Sequence, residues 1–249
     1  MSASSLHGKA ILVTGAARRV GSAISRHLHA GGANVVLHCR AARAEADALA
    51  ALLNATRPGS ASVVQADLLD LAALPALAEA PLRCHGRIDG LVNNASSFFP
   101  TVIGGIDEAA WNDLVGSNFK APLFLSQALA PALRASGGAI VNITDVHAER
   151  PLRGYPLYSA AKGALLTLTR ALAVELAPEV RVNAVAPGPI LWPDDGQFDD
   201  GSRADIVRHT LLKREGSPED IAGAVSFLLT ARYVTGQVIN VDGGRTAYL

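Results

Sequence analysis

Tyr158 and Lys162 stand four residues apart in the run Tyr158-Ser159-Ala160-Ala161-Lys162, and Asp145 lies thirteen residues before the tyrosine. Side chains at i and i+4 share one face of a helix, so this spacing brings an ammonium beside a phenol. A positive charge there favours the ionised phenol, and a tyrosine with an ordinary pKa of about 10 becomes a usable proton donor near neutral pH. The same spacing also occurs on solvated helices, so the pair alone names no reaction. The elements that position it must decide.

Those elements read as strands alternating with helices. Apolar runs at 9–15, 34–39, 62–68, 88–95, 138–145, 180–188 and 236–244 each end in a turn signal, and most lead into an amphipathic stretch. Continuous Val, Ile and Leu runs suit strands buried on both faces, and strand-helix alternation implies an α/β, doubly wound parallel sheet of about seven strands with helices on both faces. No repeat or linker divides residues 1–249, which read as one domain. The least regular part runs from about Pro187 to Gly216, with Pro, Gly and Asp clustered around Trp192. It reads as a substrate lid over a pocket whose mouth holds Trp192, Asp194 and Asp195.

Composition narrows the partners. With 22 basic and 22 acidic residues interspersed among 249, the chain offers no electrostatic footprint for nucleic acid. Apolar stretches are short and broken, and Met1 to Ser5 lead straight into a strand pattern, so neither a membrane span nor a signal peptide is expected and residence is cytoplasmic. Cys39 and Cys84 have no metal-ligand or redox spacing, and no metal site is expected.

The first strand ends Val13-Thr14-Gly15 and passes through Arg18, Arg19, Val20 and Gly21 into a helix. Glycine at such a turn lets the backbone approach a pyrophosphate that faces the helix N-terminus, although Gly15 could also simply close a strand-helix corner. An acid ending the second strand would receive the ribose 2′-hydroxyl of NAD, whereas this strand ends His38-Cys39-Arg40. Arg40, assisted by Arg18 or His38, suits the 2′-phosphate of NADPH, unless it merely opens a solvated helix.

Thr14-Gly15, Asp67, Asn93-Asn94-Ala95, Asn118, Tyr158, Lys162, Pro187-Gly188 and Val241-Asp242-Gly243-Gly244 occur in this order along the chain. In this the chain resembles the short-chain dehydrogenase/reductase family, and the resemblance covers essentially all of it. It implies a Rossmann-type fold, with Asp67 and the adjoining Leu68 at the adenine, Asn94 and Ala95 at the adenosine ribose, and Pro187 and Gly188 flanking the nicotinamide. It further implies that Lys162 binds the nicotinamide ribose, that Asn118 holds a water linking Lys162 to solvent, and that the chain forms a homotetramer through the helices after strands four and five. On residue type alone, Asn118 could be an ordinary helix residue and Asp67 a helix cap.

Three departures from the common family pattern sharpen this. Arg19 replaces the middle glycine of the glycine-rich turn, Ser96-Ser97-Phe98 follows Ala95 in place of glycine, and Asp145 occupies the usual serine position. Together they resemble pteridine reductases, with Arg40 displaced by one position from that subgroup's basic residues. An ionised aspartate cannot donate to a growing alkoxide, so the swap is costly for ketone reduction and raises the tyrosine pKa. A pterin instead needs protons on ring nitrogens, which Asp145 and Tyr158 could supply or relay. Phe98 could stack on a fused heteroaromatic ring, with Arg19 and Ser96 adding donors near the phosphates and the ring's polar edge. Alternatively Asp145 caps the next turn and Phe98 is core. His147 matches no family role and reads as a loop residue. The run from Arg245 has no arginine where some pteridine reductases send one into a neighbour's site.

The expectation is therefore an NADPH-dependent pteridine reductase acting on a small-molecule pterin, with Asp145, Tyr158, Lys162 and Asn118 as its catalytic group and Trp192 at the substrate. The rivals are a general carbonyl or 3-oxoacyl-thioester reductase of the same family, and a catalytically silent NADP-binding regulator.

Overall fold

Each apolar run forms a strand in the computed structural model, which describes residues 5–193 and 196–247; Asp194 and Asp195 lie outside the described residues. The strands are β1 (Ala10–Val13), β2 (Asn34–Cys39), β3 (Ala61–Gln65), β4 (Gly90–Asn93), β5 (Ala139–Ile143), β6 (Arg181–Pro187) and β7 (Val238–Val241). They form one sheet in the order β3-β2-β1-β4-β5-β6-β7, and every neighbouring pair is parallel. Among the described residues the α-helices are α1 (Arg19–Ala30), α2 (Arg43–Thr56), α3 (Leu74–His85), α4 (Glu108–Val115), α5 (Ala121–Ser136), α6 (Pro156–Leu176), α7 (Asp200–Arg208) and α8 (Pro218–Thr230).

The two-residue period of a strand divides the core into two layers. Ile11 and Val13 of β1 pack with Ile24 and Leu28 of α1 and Val225 and Leu228 of α8, while Leu12 between them joins Leu77 of α3 and Leu125 and Leu129 of α5. Fully burying each such side chain contributes about 1.5–3 kcal/mol relative to leaving it exposed. The sheet is thereby a firm platform for whatever its carboxyl edge carries.

Helix boundaries follow local chemistry. Pro156 opens α6 where its missing N–H costs nothing, and Ser217 with Asp220 forms a reciprocal capping box at α8. Between α4 and α5 the chain widens into one π-helical turn over Gly116–Lys120, a distortion that often marks a functional position and here places Asn118.

The segment from 187 to 216 is more ordered than its composition suggests. It contains α7, started by Asp199 accepting from Ser202 N–H at 2.7 Å. No residue of α7 is buried, so the apolar period that would reveal it in sequence is missing.

Strand order reverses between β1 and β4, and a crevice outside the carboxyl ends of the strands is where open parallel sheets bind ligands. Gly15 follows β1, Arg40 follows β2, Asp67 follows β3, Asn94 follows β4, Asp145 follows β5, Gly188 follows β6 and Asp242 follows β7.

Candidate active site

A cleft of about 560 Å³ opens along that edge. Its walls include Gly15, Arg18, Arg19, Val20, His38, Arg40, Asp67, Leu68, Asn94, Ala95, Ser96, Phe98, Asp145, Tyr158, Lys162, Pro187, Gly188 and Trp192. Among the described residues, every sequence-predicted site residue except Asn118 thus faces one space. Asn118 is fully buried immediately behind it.

The β1–α1 turn is packed too closely for side chains. Gly15 adopts φ +62°, and a Cβ on Gly21 would lie 2.1 Å from the Gly15 carbonyl oxygen. Asn94 clamps this turn from β4, donating through Nδ2 to the Thr14 and Gly15 carbonyls at 2.9 and 3.2 Å. Thr14 Oγ1 in turn accepts from the N–H groups of Asn94 and Ala95 at 2.9 and 3.0 Å. Arg18 at the start of α1 provides no side-chain cap, so the helix's first N–H groups remain available at the cleft. Arg18 itself pairs with Glu45 of α2.

His38 departs from the role expected of it. Its Nδ1 accepts from Gly15 N–H at 3.2 Å and its Nε2 lies 3.1 Å from the Ala66 carbonyl, so both ring nitrogens are engaged. Burial, the largest influence, pushes its pKa below the ordinary value and favours this neutral ring. His38 therefore braces the turn, and Arg40 and Arg18 are the cations left at that end of the cleft.

At the other end, α6 presents Tyr158 and Lys162 on one face, as the spacing required. Tyr158 Oη donates to Asp145 Oδ2 at 2.8 Å, while Asp145 Oδ1 accepts from His147 N–H at 2.8 Å. Asp145 thus both caps the short turn after β5 and meets the phenol. Lys162, 2% exposed, donates from Nζ to the Ile143 carbonyl at 2.8 Å and lies 5.8 Å from the Tyr158 ring centroid.

The lowered phenol pKa expected from Lys162 is not found. Burial first, then the charge and hydrogen bond of Asp145, hold Tyr158 well above the ordinary tyrosine range. The carboxylate is in contact with the phenolic oxygen, whereas the ammonium is aimed at a carbonyl. Burial also brings Lys162 down from 10.5 to about 8, with Asp145 opposing the fall. Asn118 donates from Nδ2 to the Ser97 and Leu114 carbonyls at 2.9 and 3.0 Å, leaving its buried Oδ1 without a partner among the described residues.

Phe98 serves packing and the cleft together. Its ring stacks on Tyr155 at 4.6 Å between centroids, meets Tyr158 edge-on at 4.8 Å, and runs parallel to Phe198 at 6.3 Å. Trp192 lies against Phe198 at 5.4 Å and donates its indole N–H to Glu215 at 2.7 Å. Arg19 reaches across to this segment, donating to the Leu191 and Trp192 carbonyls at 3.2 and 3.1 Å. It does so from φ +52°, a conformation natural to the glycine it replaces.

Phe198, His147, Ile206 and Arg245 also line the cleft and were not expected there. Phe198 and Ile206 sit in the weakly patterned lid. Arg245 was legible only as following a Gly-Gly turn at the seventh strand's end.

Fold and site together define an oxidoreductase built on a dinucleotide-binding sheet. The family model described as enoyl-(acyl carrier protein) reductase matches residues 15–246. Pteridine reductase 1 of Leishmania tarentolae is 42% identical, covering 94% of each chain, and the 3-oxoacyl-[acyl-carrier-protein] reductase of Synechocystis sp. is 35% identical, covering 98% of this chain and 99% of the relative. A blue fluorescent protein from a metagenomic library, solved in complex with NADPH, superposes with a TM-score of 0.91 at 36% identity, covering 97% of this chain and 99% of that one. The chain belongs to the short-chain dehydrogenase/reductase family.

Proposed function

We propose that this protein is an NADPH-dependent pteridine reductase that delivers hydride to a C=N bond of a pterin ring, taking dihydropterin to tetrahydropterin and accepting oxidised pterin or dihydrofolate as further substrates. The observation that carries the reading is the Asp145–Tyr158 hydrogen bond, because a carboxylate at that place opposes alkoxide formation and suits protonation of a ring nitrogen.

The chain's residues fit the cofactor. The uncapped start of α1 and the side-chain-free approach over Gly15 and Gly21 suit a pyrophosphate. Arg40 and Arg18 suit a 2′-phosphate, with Asp67 and Leu68 at the adenine end and Asn94, Ala95 and Ser96 beside the ribose. Pro187 and Gly188 flank the nicotinamide position, where a Cβ on Gly188 would lie 2.6 Å from Asp242 Cα. Bound NADPH supplies the hydride.

The protein's own task is the proton. Tyr158, kept neutral by burial and Asp145, is loaded with a proton at physiological pH and gives it to the substrate nitrogen as charge develops there. Asp145 orients the phenol and assists this protonation through the substrate or a water. Lys162 holds the nicotinamide ribose and balances the charge left on Tyr158, and the unpartnered Oδ1 of Asn118 is the acceptor that orders a water behind Lys162. Phe98, Arg19, Ser96 and Trp192 form the substrate walls.

A general 3-oxoacyl or carbonyl reductase is the second reading, favoured by the similarity to the 3-oxoacyl-[acyl-carrier-protein] reductase of Synechocystis sp.. NADPH consumption across biopterin, dihydrobiopterin, dihydromonapterin, dihydrofolate and a 3-oxoacyl thioester separates the two. Pterin turnover that is lost in Tyr158→Phe supports the proposal; turnover of the thioester with indifference to every pterin contradicts it.

The oligomer is read as a homotetramer through the helices that follow β4 and β5. Trp111 of α4, Phe124 of α5 and Val174 of α6 are exposed apolar residues on those helices, which supports that reading.

A further inference from the structure

Arg245 follows the Asp242-Gly243-Gly244 turn and lines the same cleft as Asp145 and Tyr158. The turn that carries it is firmly built. Asp242 accepts from Gly244 N–H and Thr246 N–H at 2.8 Å each and from Thr246 Oγ1 at 2.7 Å, and Arg245 N–H donates to the Asp242 carbonyl at 3.2 Å. The guanidinium is steadied at one point, Nη1 donating to the Ile206 carbonyl of α7 at 2.9 Å.

Its carboxylate neighbours are engaged elsewhere. Asp145 uses its oxygens on His147 N–H and Tyr158 Oη, Asp242 uses its own within the turn, and Asp205 pairs with Arg208. Among the described residues no carboxylate lies within ion-pair distance of Arg245. Burial lowers its pKa from the ordinary value, with Asp205, Asp242 and Asp145 opposing that fall and the charge of Arg150 adding to it. A guanidinium carries five N–H donors in a planar fork matched to carboxylate, and the Ile206 carbonyl is the one side-chain hydrogen-bond partner of this cleft-lining group among the described residues.

We propose that Arg245 receives an anionic substituent, specifically a carboxylate, on the substrate's side chain, and so selects charged substrates over neutral ones. This rests on the reductase reading above and adds the class of side chain that the site prefers. The neutral ring reacts beside Tyr158, while the acidic tail meets the fork between the β7 turn and α7.

The test is the ratio of kcat/KM for two substrate pairs that differ in charge, measured with NADPH in the parent, Arg245→Gln and Arg245→Lys. One pair is dihydrofolate against dihydrobiopterin; the other is phenylglyoxylate against its methyl ester. Glutamine keeps a donor for the Ile206 carbonyl and lysine keeps the charge. The charged-to-neutral ratio is expected to fall at least tenfold in Arg245→Gln and by less in Arg245→Lys. Equal losses for both members of a pair, as a mere strut between the turn and α7 would give, overturn the inference, as does an unchanged ratio. If only the oxo pair is turned over and its ratio moves, the pterin reading fails and the anion site stands. If pterins are turned over with an unmoved ratio, the reverse holds. Turnover of neither pair overturns both.

Discussion

Tyr158 Oη donates to Asp145 Oδ2 across 2.8 Å, while Lys162, on the same face of α6, is turned toward the Ile143 carbonyl. The phenol is therefore held in its protonated form, and in the proposed mechanism the buried ammonium behind it compensates charge when that proton leaves.

The burial of Lys162 carries a stability cost. Its pKa is about 8 in the folded chain against 10.5 when solvated, which corresponds to about 3 kcal/mol of destabilisation near neutral pH. Between about pH 8 and 10.5 the unfolded chain holds a proton that the folded chain has released, so this group makes stability rise with pH across that window. Lys162→Met should be more stable than the parent at pH 7, by up to about 3 kcal/mol, with the advantage shrinking toward pH 10. Urea denaturation at several pH values checks this; a variant less stable at pH 7 contradicts it.

Arg19 occupies the left-handed region at φ +52°. Arg19→Gly removes strain of about 1–2 kcal/mol but gives the unfolded chain more freedom, so net stability should change by less than about 1 kcal/mol. Function should suffer more, because the bonds to the Leu191 and Trp192 carbonyls disappear together with a cation beside the phosphate turn. Titration of NADPH should show affinity at least threefold weaker. Unchanged affinity and unchanged substrate KM would remove Arg19 from the binding site.

For His38 the expected consequence is structural first. His38→Leu leaves the half-buried Gly15 N–H and Ala66 carbonyl without this partner, at a cost of at most about 1–3 kcal/mol per group. His38→Asn, whose amide offers both an acceptor and a donor, should recover part of that loss. If His38→Leu unfolds at the parent's midpoint, the ring does not brace the turn.

Much of this architecture was legible from residue order. The seven apolar runs became the seven strands because continuous Val, Ile and Leu can be satisfied only between two helical layers. Tyr158 and Lys162 shared a face because helix geometry leaves no alternative at that spacing. Three things were not legible. The ring nitrogens of His38 are committed by a backbone N–H and a carbonyl that no sequence pattern marks. Helix α7 buries none of its residues, so it left no periodic signal. Arg245 reaches the cleft only because β7 lies beside β6, a neighbour relation fixed by sheet order.

The account rests most heavily on Asp145, since that carboxylate separates protonation of a ring nitrogen from reduction of a carbonyl. The direct measurement is the initial rate of NADPH oxidation with dihydrobiopterin in the parent and in Asp145→Ser, alongside a 3-oxoacyl thioester. General acid-base groups typically contribute about 10²- to 10⁴-fold, so the pterin rate should fall by at least about 100-fold while the thioester rate holds or rises. Pterin reduction by Asp145→Ser at the parent's rate would contradict the central claim.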